Sequence, residues 1–249
     1  TIIVVLAAFL CERAFLAVLG LTEALSLRAS VMGLGRRRAC GVTATQQGGR
    51  IELDDVTIGH EGAVVAEHVS LQLGTRSRVL LDDVSGTGKT TLLRTILGEL
   101  LLLAGRMRVC EHISAVWQEV RLIEGLSAVD NVLLVAGTTI DRDGAWDLLS
   151  ELLPAGVLDL PVRRLSEGQR RRVELARALA YRSEAVLLDE PFASLDAGSH
   201  RLAADFVLRH CGTRPLLVAS HLSDDAKLLG AETFSLLSPA VSHDAPMLA

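Results

Sequence analysis

A glycine-rich heptapeptide lies between a short apolar run and a helical pattern, and it constrains the fold more than any other part of the chain. The run Val79-Leu80-Leu81 is typical of a buried parallel strand, and the pattern from Thr90 to about Leu102 is typical of a helix. Glycines here let the backbone turn so that successive N–H groups face phosphate oxygens, beside the positive end of the helix. The sequence therefore predicts a phosphate-binding loop, made of Ser85, Gly86, Thr87, Gly88, Lys89, Thr90 and Thr91.

One residue departs from the usual form of such a loop. In the pattern G-x-x-x-x-G-K-[ST], Lys89 holds the β- and γ-phosphates and Thr90 offers a hydroxyl to Mg²⁺, but Asp83 stands where the first glycine is expected. A carboxylate close to a triphosphate is repulsive, and aspartate enters left-handed backbone less freely than glycine. Two outcomes remain open: Asp83 points away and the loop works normally, or the affinity for nucleotide is reduced.

Two acidic residues end a second buried strand. The apolar run Ala185 to Leu188 is followed by Asp189 and Glu190. A carboxylate at a strand end beside a phosphate loop is suited to hold the water shell of Mg²⁺, which assigns that role to Asp189. Glu190 is then placed to accept a proton from the water that attacks the γ-phosphate.

Between these two motifs lies the pentapeptide Leu165-Ser-Glu-Gly-Gln169. Ser166 and Gln169 have the spacing of a capping box, so they predict a helix start with free N–H groups and a positive dipole end. Gly168 permits close backbone approach there. The arginines that follow, Arg170 to Arg172, are expected to form a solvated face with ion pairs.

The remaining patterns predict an α/β fold. The stretches 51–58 and 68–73 alternate partly and indicate antiparallel strands, whereas residues 215–219 form another buried parallel strand. Helices are expected over 199–211 and 222–229, and a helical subdomain over about 127–165. Alternation of buried strands and helices places sites at the carboxyl ends of the strands.

Composition narrows the function. The net charge is −5 and aromatic residues make up 3% of the chain, which argues against a nucleic-acid partner. The four cysteines (Cys11, Cys40, Cys110 and Cys211) are scattered, which is typical of reduced thiols and not of a disulfide framework or a metal site.

The first 40 residues differ from the rest of the chain in their pattern of apolar and basic residues. An apolar run precedes the charged pair Glu12-Arg13, and Arg36 to Arg38 form a basic cluster. We interpret residues 1–40 as the end of a membrane helix of a permease with a cytoplasmic basic flank; an apolar helix packed on a soluble body is the alternative. Residues 41–50 are expected to be a linker, 51–240 a single domain and 241–249 a tail.

In their order, these motifs resemble the ATP-binding cassette (ABC) ATPase family over about residues 51–237. The resemblance implies a P-loop NTPase cassette with a RecA-like parallel sheet core, a small antiparallel β subdomain and a short helical subdomain. It assigns Gln118 to the metal and the attacking water, Asp196 to communication between paired sites, and His221 to the γ-phosphate. His60 stands at the adenine-stacking position, and Ser166, Glu167, Gly168 and Gln169 reach the ATP of a partner subunit.

The resemblance also implies cofactors and partners. These are ATP, Mg²⁺, a second cassette in a head-to-tail homodimer, a transmembrane permease that is fused to the cassette, and an extracytoplasmic solute-binding protein, at the cytoplasmic face of the cell membrane. Residues 118–134 and 188–196 are similar to importer ATPases of the nitrate, sulfonate and taurine group. Two alternatives are a soluble ABC ATPase acting in DNA repair or translation, and a degenerate cassette that binds nucleotide for regulation.

Overall fold

The short apolar runs of the sequence form the central strands of the protein. The computed structural model describes residues 42–45, 49–60, 62–222 and 224–237. In these ranges the strands are β1 (Val42–Thr45), β2 (Ile51–His60), β3 (Ala63–Leu73), β4 (Arg78–Leu81), β5 (Ala104–Cys110), β6 (Ile113–Val116), β7 (Ala185–Asp189), β8 (Leu216–Ala219) and β9 (Glu232–Phe234). The helices are α1 (Lys89–Leu97), α2 (Ala128–Ala136), α3 (Arg142–Ser150), α4 (Glu167–Ala180), α5 (Ala197–Cys211) and α6 (Asp224–Leu229).

A parallel sheet with the strand order β6-β7-β8-β4-β9 forms the centre of the fold. Both of its faces are covered, and alternate residues of each strand point to different cores. Leu216 and Val218 pack with helices α2 to α5, whereas Leu217 and Ala219 pack with α1 and the second sheet. Because both faces of the central strands β6, β7, β8 and β4 are buried, these strands are largely apolar, which confirms the expected α/β fold.

The second sheet has the strand order β1-β5-β2-β3, in which β2 runs antiparallel to both β3 and β5. The expected linker over 41–50 is wrong for Val42–Thr45, which form β1 and pair in parallel with residues 107–110 of β5. Threonine and valine favour extended backbone, and the edge of β5 supplies the hydrogen-bond partners.

The largest departure from the expected helix bounds is in α1. Helix α1 ends at Leu97 and does not extend to Leu102, because Gly98 takes left-handed backbone with φ of 78° and caps the helix. The expected helical subdomain corresponds to α2, α3 and two 3₁₀ turns, which lie between residues 128 and 164. Ser127 and Asp141 cap α2 and α3 through their side chains.

The interpretation of residues 1–40 as a membrane segment lies outside the described residues. Within the described ranges, the helices are all too short or too polar to cross a membrane.

The guanidinium of Arg214 bonds to the C-terminal ends of α4 and α5, on the face of the parallel sheet that α2 to α5 cover. Arg214 is partly buried, and its donors reach the carbonyl oxygens left open where α4 and α5 end. The acceptors are the carbonyls of Leu179, Tyr181, His210 and Cys211 and the hydroxyl of Ser183. Burial lowers the pKa of Arg214, so these carbonyls hold a cation at some cost in solvation.

We expect Arg214→Lys to lower the free energy of unfolding by about 1–3 kcal/mol, because a single ammonium cannot serve acceptors that a guanidinium fork spans. Thermal or denaturant unfolding measures the change. The control is Arg163→Lys, the same substitution at an exposed position. Equal loss of stability in the two variants would refute the assignment.

Candidate functional site

The glycine-rich loop connects β4 to α1, as the sequence predicts. Gly86 and Gly88 have left-handed backbone, with φ of 89° and 104°. Gly88 also lacks room for a side chain, because a Cβ atom there would come within 2.5 Å of Val65 Cγ1. The β2–β3 hairpin therefore presses on the start of α1 at a point that requires glycine.

The side chain of Lys89 is buried within the loop. Lys89 is 6% exposed, and its Nζ atom donates a hydrogen bond to the backbone carbonyl of Asp83. Thr87 Oγ1 donates to the carbonyl of Val84 at 3.0 Å. These bonds keep the loop curled around the ammonium group, where a phosphate oxygen would make a charge-assisted hydrogen bond.

Asp83 directs its carboxylate to the segment after β9. Its Oδ1 atom accepts from Ser235 Oγ at 2.6 Å, and its Oδ2 atom accepts from the N–H of Leu236 at 2.7 Å. The residue is buried, and its backbone is not in the left-handed region. The structure therefore shows the geometric part of the first outcome, because the Asp83 carboxylate points away from the loop.

At the carboxyl end of β7, a buried carboxylate meets the start of α1. Asp189 is 2% exposed and accepts a hydrogen bond from the side chain of Thr90. Burial raises the pKa of Asp189, and the Thr90 bond opposes this rise. Its Oδ2 atom has no hydrogen-bond partner among the described residues. An unpartnered carboxylate oxygen beside a threonine hydroxyl suits the water shell of a hard cation.

Glu190, the next residue, contacts His221, the histidine that the resemblance assigns to the γ-phosphate. Glu190 Oε2 lies 2.8 Å from His221 Nδ1, and the N–H of Glu190 donates to the carbonyl of Ala219 at 2.8 Å. Glu190 also has left-handed backbone, with φ of 47°, a strained conformation for a residue with a side chain. The two side chains come together because β7 and β8 are parallel neighbours that end side by side.

Gln118 leaves the same edge of the sheet. It follows β6, whose Val116 pairs with Leu188 immediately before Asp189. The Gln118 side chain is exposed, whereas Trp117 before it is buried. The strand register therefore brings Gln118 to the edge at which Asp189 and Glu190 lie.

The predicted capping box is present at the start of α4. Ser166 Oγ accepts from the N–H of Gln169 at 3.2 Å, and Gln169 Oε1 accepts from the N–H of Ser166 at 2.9 Å. Helix α4 packs on the opposite face of the parallel sheet from α1. The two helix starts that carry phosphate-directed motifs thus belong to different sides of the sheet.

The same motif contacts the chain's own 194–196 segment. A Cβ atom at Gly168 would lie 3.1 Å from the carbonyl oxygen of Ser194, so glycine allows this close approach. Glu167 Oε1 accepts from Ser194 Oγ at 2.6 Å. Asp196 caps α5 by accepting from the N–H groups of Gly198 and Ser199, bonds that lower the pKa of Asp196.

The predicted adenine contact ends the β2–β3 hairpin. His60 is the last residue of β2, its side chain is exposed, and it pairs with Ala63 across the hairpin. This hairpin contacts Gly88 through Val65, so His60 lies on the element that covers the phosphate loop. The stacking of His60 on a base stays a prediction.

Two buried polar clusters were missed by sequence reasoning. Asp225 accepts from Ser220 Oγ at 2.6 Å, and His200 Nε2 lies 2.7 Å from its other oxygen without hydrogen-bond alignment. The expectation of a solvated arginine face on α4 is wrong for Arg171, which is 4% exposed and paired with buried Glu174. The sequence does carry a signal for this ion pair, because Arg171 and Glu174 have i,i+3 spacing and lie beside apolar Val173.

The parallel sheet, the glycine loop at the start of α1 and the acidic strand end together define a P-loop nucleotide-binding protein. The profile of the ABC transporter family matches residues 66–193, just over half of the 249 residues. An aliphatic sulfonates import ATP-binding protein of Paraburkholderia xenovorans is 42% identical over 171 residues, which cover 67% of this chain and 68% of that protein.

A second relative, an aliphatic sulfonates import ATP-binding protein of Pseudomonas syringae, is 36% identical over 184 residues, or 72% of this chain and 67% of that protein. Among solved structures, an ABC transporter ATP-binding protein of Pyrococcus furiosus has the same fold, with a TM-score of 0.64, 24% identity, and coverage of 75% of this chain and 97% of that one. The chain belongs to the ABC transporter family, as an ATP-binding subunit with ATPase activity.

For Asp83→Asn, we expect a loss of about 1–3 kcal/mol in unfolding free energy, because the amide cannot accept both bonds that the carboxylate accepts. The dissociation constant for ATP is expected to stay within about threefold, since the carboxylate is directed elsewhere. Asp82→Asn, the same change at an exposed neighbour, serves as the control. An increase in ATP affinity of about tenfold in Asp83→Asn alone would show that the carboxylate repels phosphate.

For Asp189→Asn, we expect higher thermal stability without nucleotide, on the order of 1 kcal/mol. Because the folded-state pKa of Asp189 lies above the unfolded value, the ionised form opposes folding at neutral pH, and this penalty disappears as the pH falls through the folded-state pKa. The advantage of the variant should therefore shrink in unfolding experiments at lower pH. An advantage that stays constant with pH, or that also appears in exposed Asp205→Asn, would contradict the interpretation.

Proposed function

We propose that this chain hydrolyses ATP at the edge where β4, β6, β7 and β8 end, and that the motif at the start of α4 completes the site of a second cassette. The observation that carries the proposal is the convergence of three elements. Thr90 of α1 donates to Asp189 of β7, and Glu190 contacts His221 after β8. A phosphate loop, a metal-directed carboxylate and a base with its histidine thus lie together.

In the proposed reaction, the loop amides from Ser85 to Thr91 and the Lys89 ammonium bind the phosphates. Glu190 accepts a proton from the attacking water, and His221 contacts the γ-phosphate and holds the Glu190 carboxylate in place. The water oxygen bonds to the γ-phosphorus as the bond to the β-phosphate oxygen breaks, which yields ADP and inorganic phosphate. Positioning and electrostatic stabilisation do most of this catalysis.

The residues present fit a magnesium ion. Thr90, Gln118 and Asp189 would hold it, and when bound it neutralises charge that develops on the phosphate oxygens. The unpartnered Asp189 Oδ2 atom supports this assignment. In the described ranges, groups of three or more His, Cys, Asp or Glu suited to a metal are absent.

The second half of the proposal is a head-to-tail homodimer of cassettes. Its support is the separation of the two phosphate-directed helix starts, since α1 and α4 pack on opposite faces of the parallel sheet. Ser166, Glu167, Gly168 and Gln169 would then meet the ATP held by the partner's loop, with the free N–H groups of α4 facing the γ-phosphate. Asp196 and His60 complete the interface and the adenine contact.

The proposed work is import of a small solute at the cytoplasmic face of the membrane. The relatives in Paraburkholderia and Pseudomonas are named as aliphatic sulfonate importers, which supports the import direction and partnership with a permease and a solute-binding protein. We further propose that residues 51–240 form the cassette, with 127–165 as its helical subdomain, and that residues 1–40 belong to a fused permease.

For Glu190→Gln, we expect ATP hydrolysis to fall about 10²–10⁴-fold while ATP binding persists, because the amide cannot accept the proton. Hydrolysis is measured with the membrane partner present, and binding is measured by equilibrium titration. Glu232→Gln, the same change on the exposed edge strand β9, is the matched control. Equal hydrolysis in Glu190→Gln and the wild type would refute the assignment and favour a regulatory nucleotide-binding cassette.

A further inference from the structure

Three charged residues form a buried cluster on α4, the helix that begins at Ser166. Arg171, Glu174 and Arg177 have side chains that are 5%, 2% and 4% exposed. Glu174 lies between the two guanidiniums, 3.0 Å from Arg171 Nη1 and 3.6 Å from Arg177 Nη2. Taking charges out of water is costly, and replacing such clusters by apolar residues often does not reduce stability. Stability alone therefore does not account for this buried cluster.

Arg171 holds the backbone beside the predicted catalytic glutamine. Its Nη1 atom donates to the carbonyl of Trp117, and its Nη2 atom donates to the carbonyl of Gln118. Arg171 Nη1 also donates to Glu174 Oε2, which fixes the direction of the guanidinium. Two consecutive carbonyls on one planar group define both the position and the orientation of the peptide between them.

The rest of the cluster holds the same segment three residues further on. Glu174 Oε1 accepts from the N–H of Arg121 at 2.5 Å, and Arg177 Nη1 donates to the carbonyl of Arg121. Burial lowers the pKa of Arg177 to about 10, so it stays charged at neutral pH. Both backbone groups of Arg121 are thus bound by α4.

These bonds replace regular pairing, because residues 117–127 are neither helix nor strand. Asn131 of α2 also anchors the segment by exchanging hydrogen bonds with both backbone groups of Ile123, and the N–H groups of Val162 and Arg163 donate to the carbonyls of Leu126 and Glu124. Irregular backbone stays in one conformation only where its polar groups find fixed partners. For Gln118, those partners come from the helix that carries the Ser166 motif.

We propose that Arg171, oriented by Glu174, is a positioning residue that sets where Gln118 stands and links it to the start of α4. The proposal rests on the role in metal and water binding proposed above for Gln118. Arg171 lies two residues beyond Gln169, so a displacement of α4 when its start meets the partner's γ-phosphate carries the Gln118 peptide with it. Occupancy of the partner's site thereby adjusts the chain's own site.

Arg171→Lys tests the proposal, because lysine keeps the charge but cannot bond two carbonyls as a fork. We expect kcat for ATP hydrolysis to fall by about tenfold or more, since small displacements of catalytic groups are costly. The KM for ATP is expected to change by less than about twofold, because the phosphate loop is intact. The Mg²⁺ concentration for half-maximal rate is expected to rise several-fold, roughly in line with loss of an outer-shell partner.

Arg214→Lys is the matched control, since it makes the same change in a guanidinium that bonds backbone carbonyls away from the site. It should lower thermal stability and leave kcat per folded molecule unchanged. If Arg171→Lys does not fold, Glu174→Gln serves in its place. Glutamine can still accept from Arg121 but lacks the charge that orients Arg171.

Trp117 provides a direct optical readout. The guanidinium carbon of Arg94, on α1, lies 5.6 Å from the centre of its ring, and that of Arg121 lies 5.0 Å from it. The chain has two tryptophans, so Trp146→Phe leaves Trp117 alone. In that background we expect ATP with Mg²⁺ to change the Trp117 emission relative to ATP alone, and Arg171→Lys to lose most of this difference while Arg214→Lys keeps it.

The outcomes separate the two proposals. A wild-type chain that neither binds nor hydrolyses ATP would overturn the proposed function together with this inference. An active wild type with unchanged kcat, Mg²⁺ dependence and Trp117 response in Arg171→Lys would overturn the inference alone. It would also be overturned by a loss of activity that only follows the loss of folded protein, equally in Arg171→Lys and Arg214→Lys.

Discussion

Burial of the parallel sheet on both faces is the constraint on which the rest of the structure depends. Leu187 and Leu188, adjacent in β7, belong to different cores on the two sides of the sheet. The backbones of the central strands are occupied by pairing and their faces are largely apolar, so the polar side chains of the candidate site stand where the strands end. Asp189, Gln118 and Ser220 are such residues. The burial that stabilises the fold is therefore also what collects the candidate site at one edge.

The loops at this edge are irregular, yet buried polar side chains fix them. Asp83 binds the segment after β9, Asn131 binds Ile123, and Arg171 binds the carbonyls of Trp117 and Gln118. Each of these side chains satisfies backbone groups that no strand or helix could satisfy, and removal of any one would leave a buried polar group without a partner. The site thus combines a sheet buried on both faces with loops whose positions depend on a few buried polar side chains.

The difference between the sheet and the loops explains which features the sequence could predict. The apolar runs of β4, β7 and β8, and the capping box of Ser166 and Gln169, depend on residues close together in the chain, and they were found. The sequence predicts a linker at Val42–Thr45 because the partner strand, β5, lies about 65 residues further along the chain. Arg171 was taken for a solvated residue because its acceptors, the Trp117 and Gln118 carbonyls, are more than fifty residues distant. Local periodicity carries no signal for such contacts.

The departures from the usual family pattern bear on whether the site is degenerate. Asp83 stands in place of the first glycine of the phosphate-loop pattern, and Glu167 lies within the pentapeptide Leu165–Gln169, so each places a carboxylate at a phosphate-directed motif. Each carboxylate has its own donor in the structure: Ser235 and the N–H of Leu236 for Asp83, and the hydroxyl of Ser194 for Glu167. Both carboxylate oxygens of Asp83 and one of Glu167 accept hydrogen bonds within the chain, so the two carboxylates add internal contacts. Gly86 and Gly88, whose left-handed backbone favours glycine, and Gly168, which lies close to the Ser194 carbonyl, are retained. The internal hydrogen bonds of Asp83 and Glu167, together with the retained glycines, therefore favour a working ATPase over a cassette that only regulates.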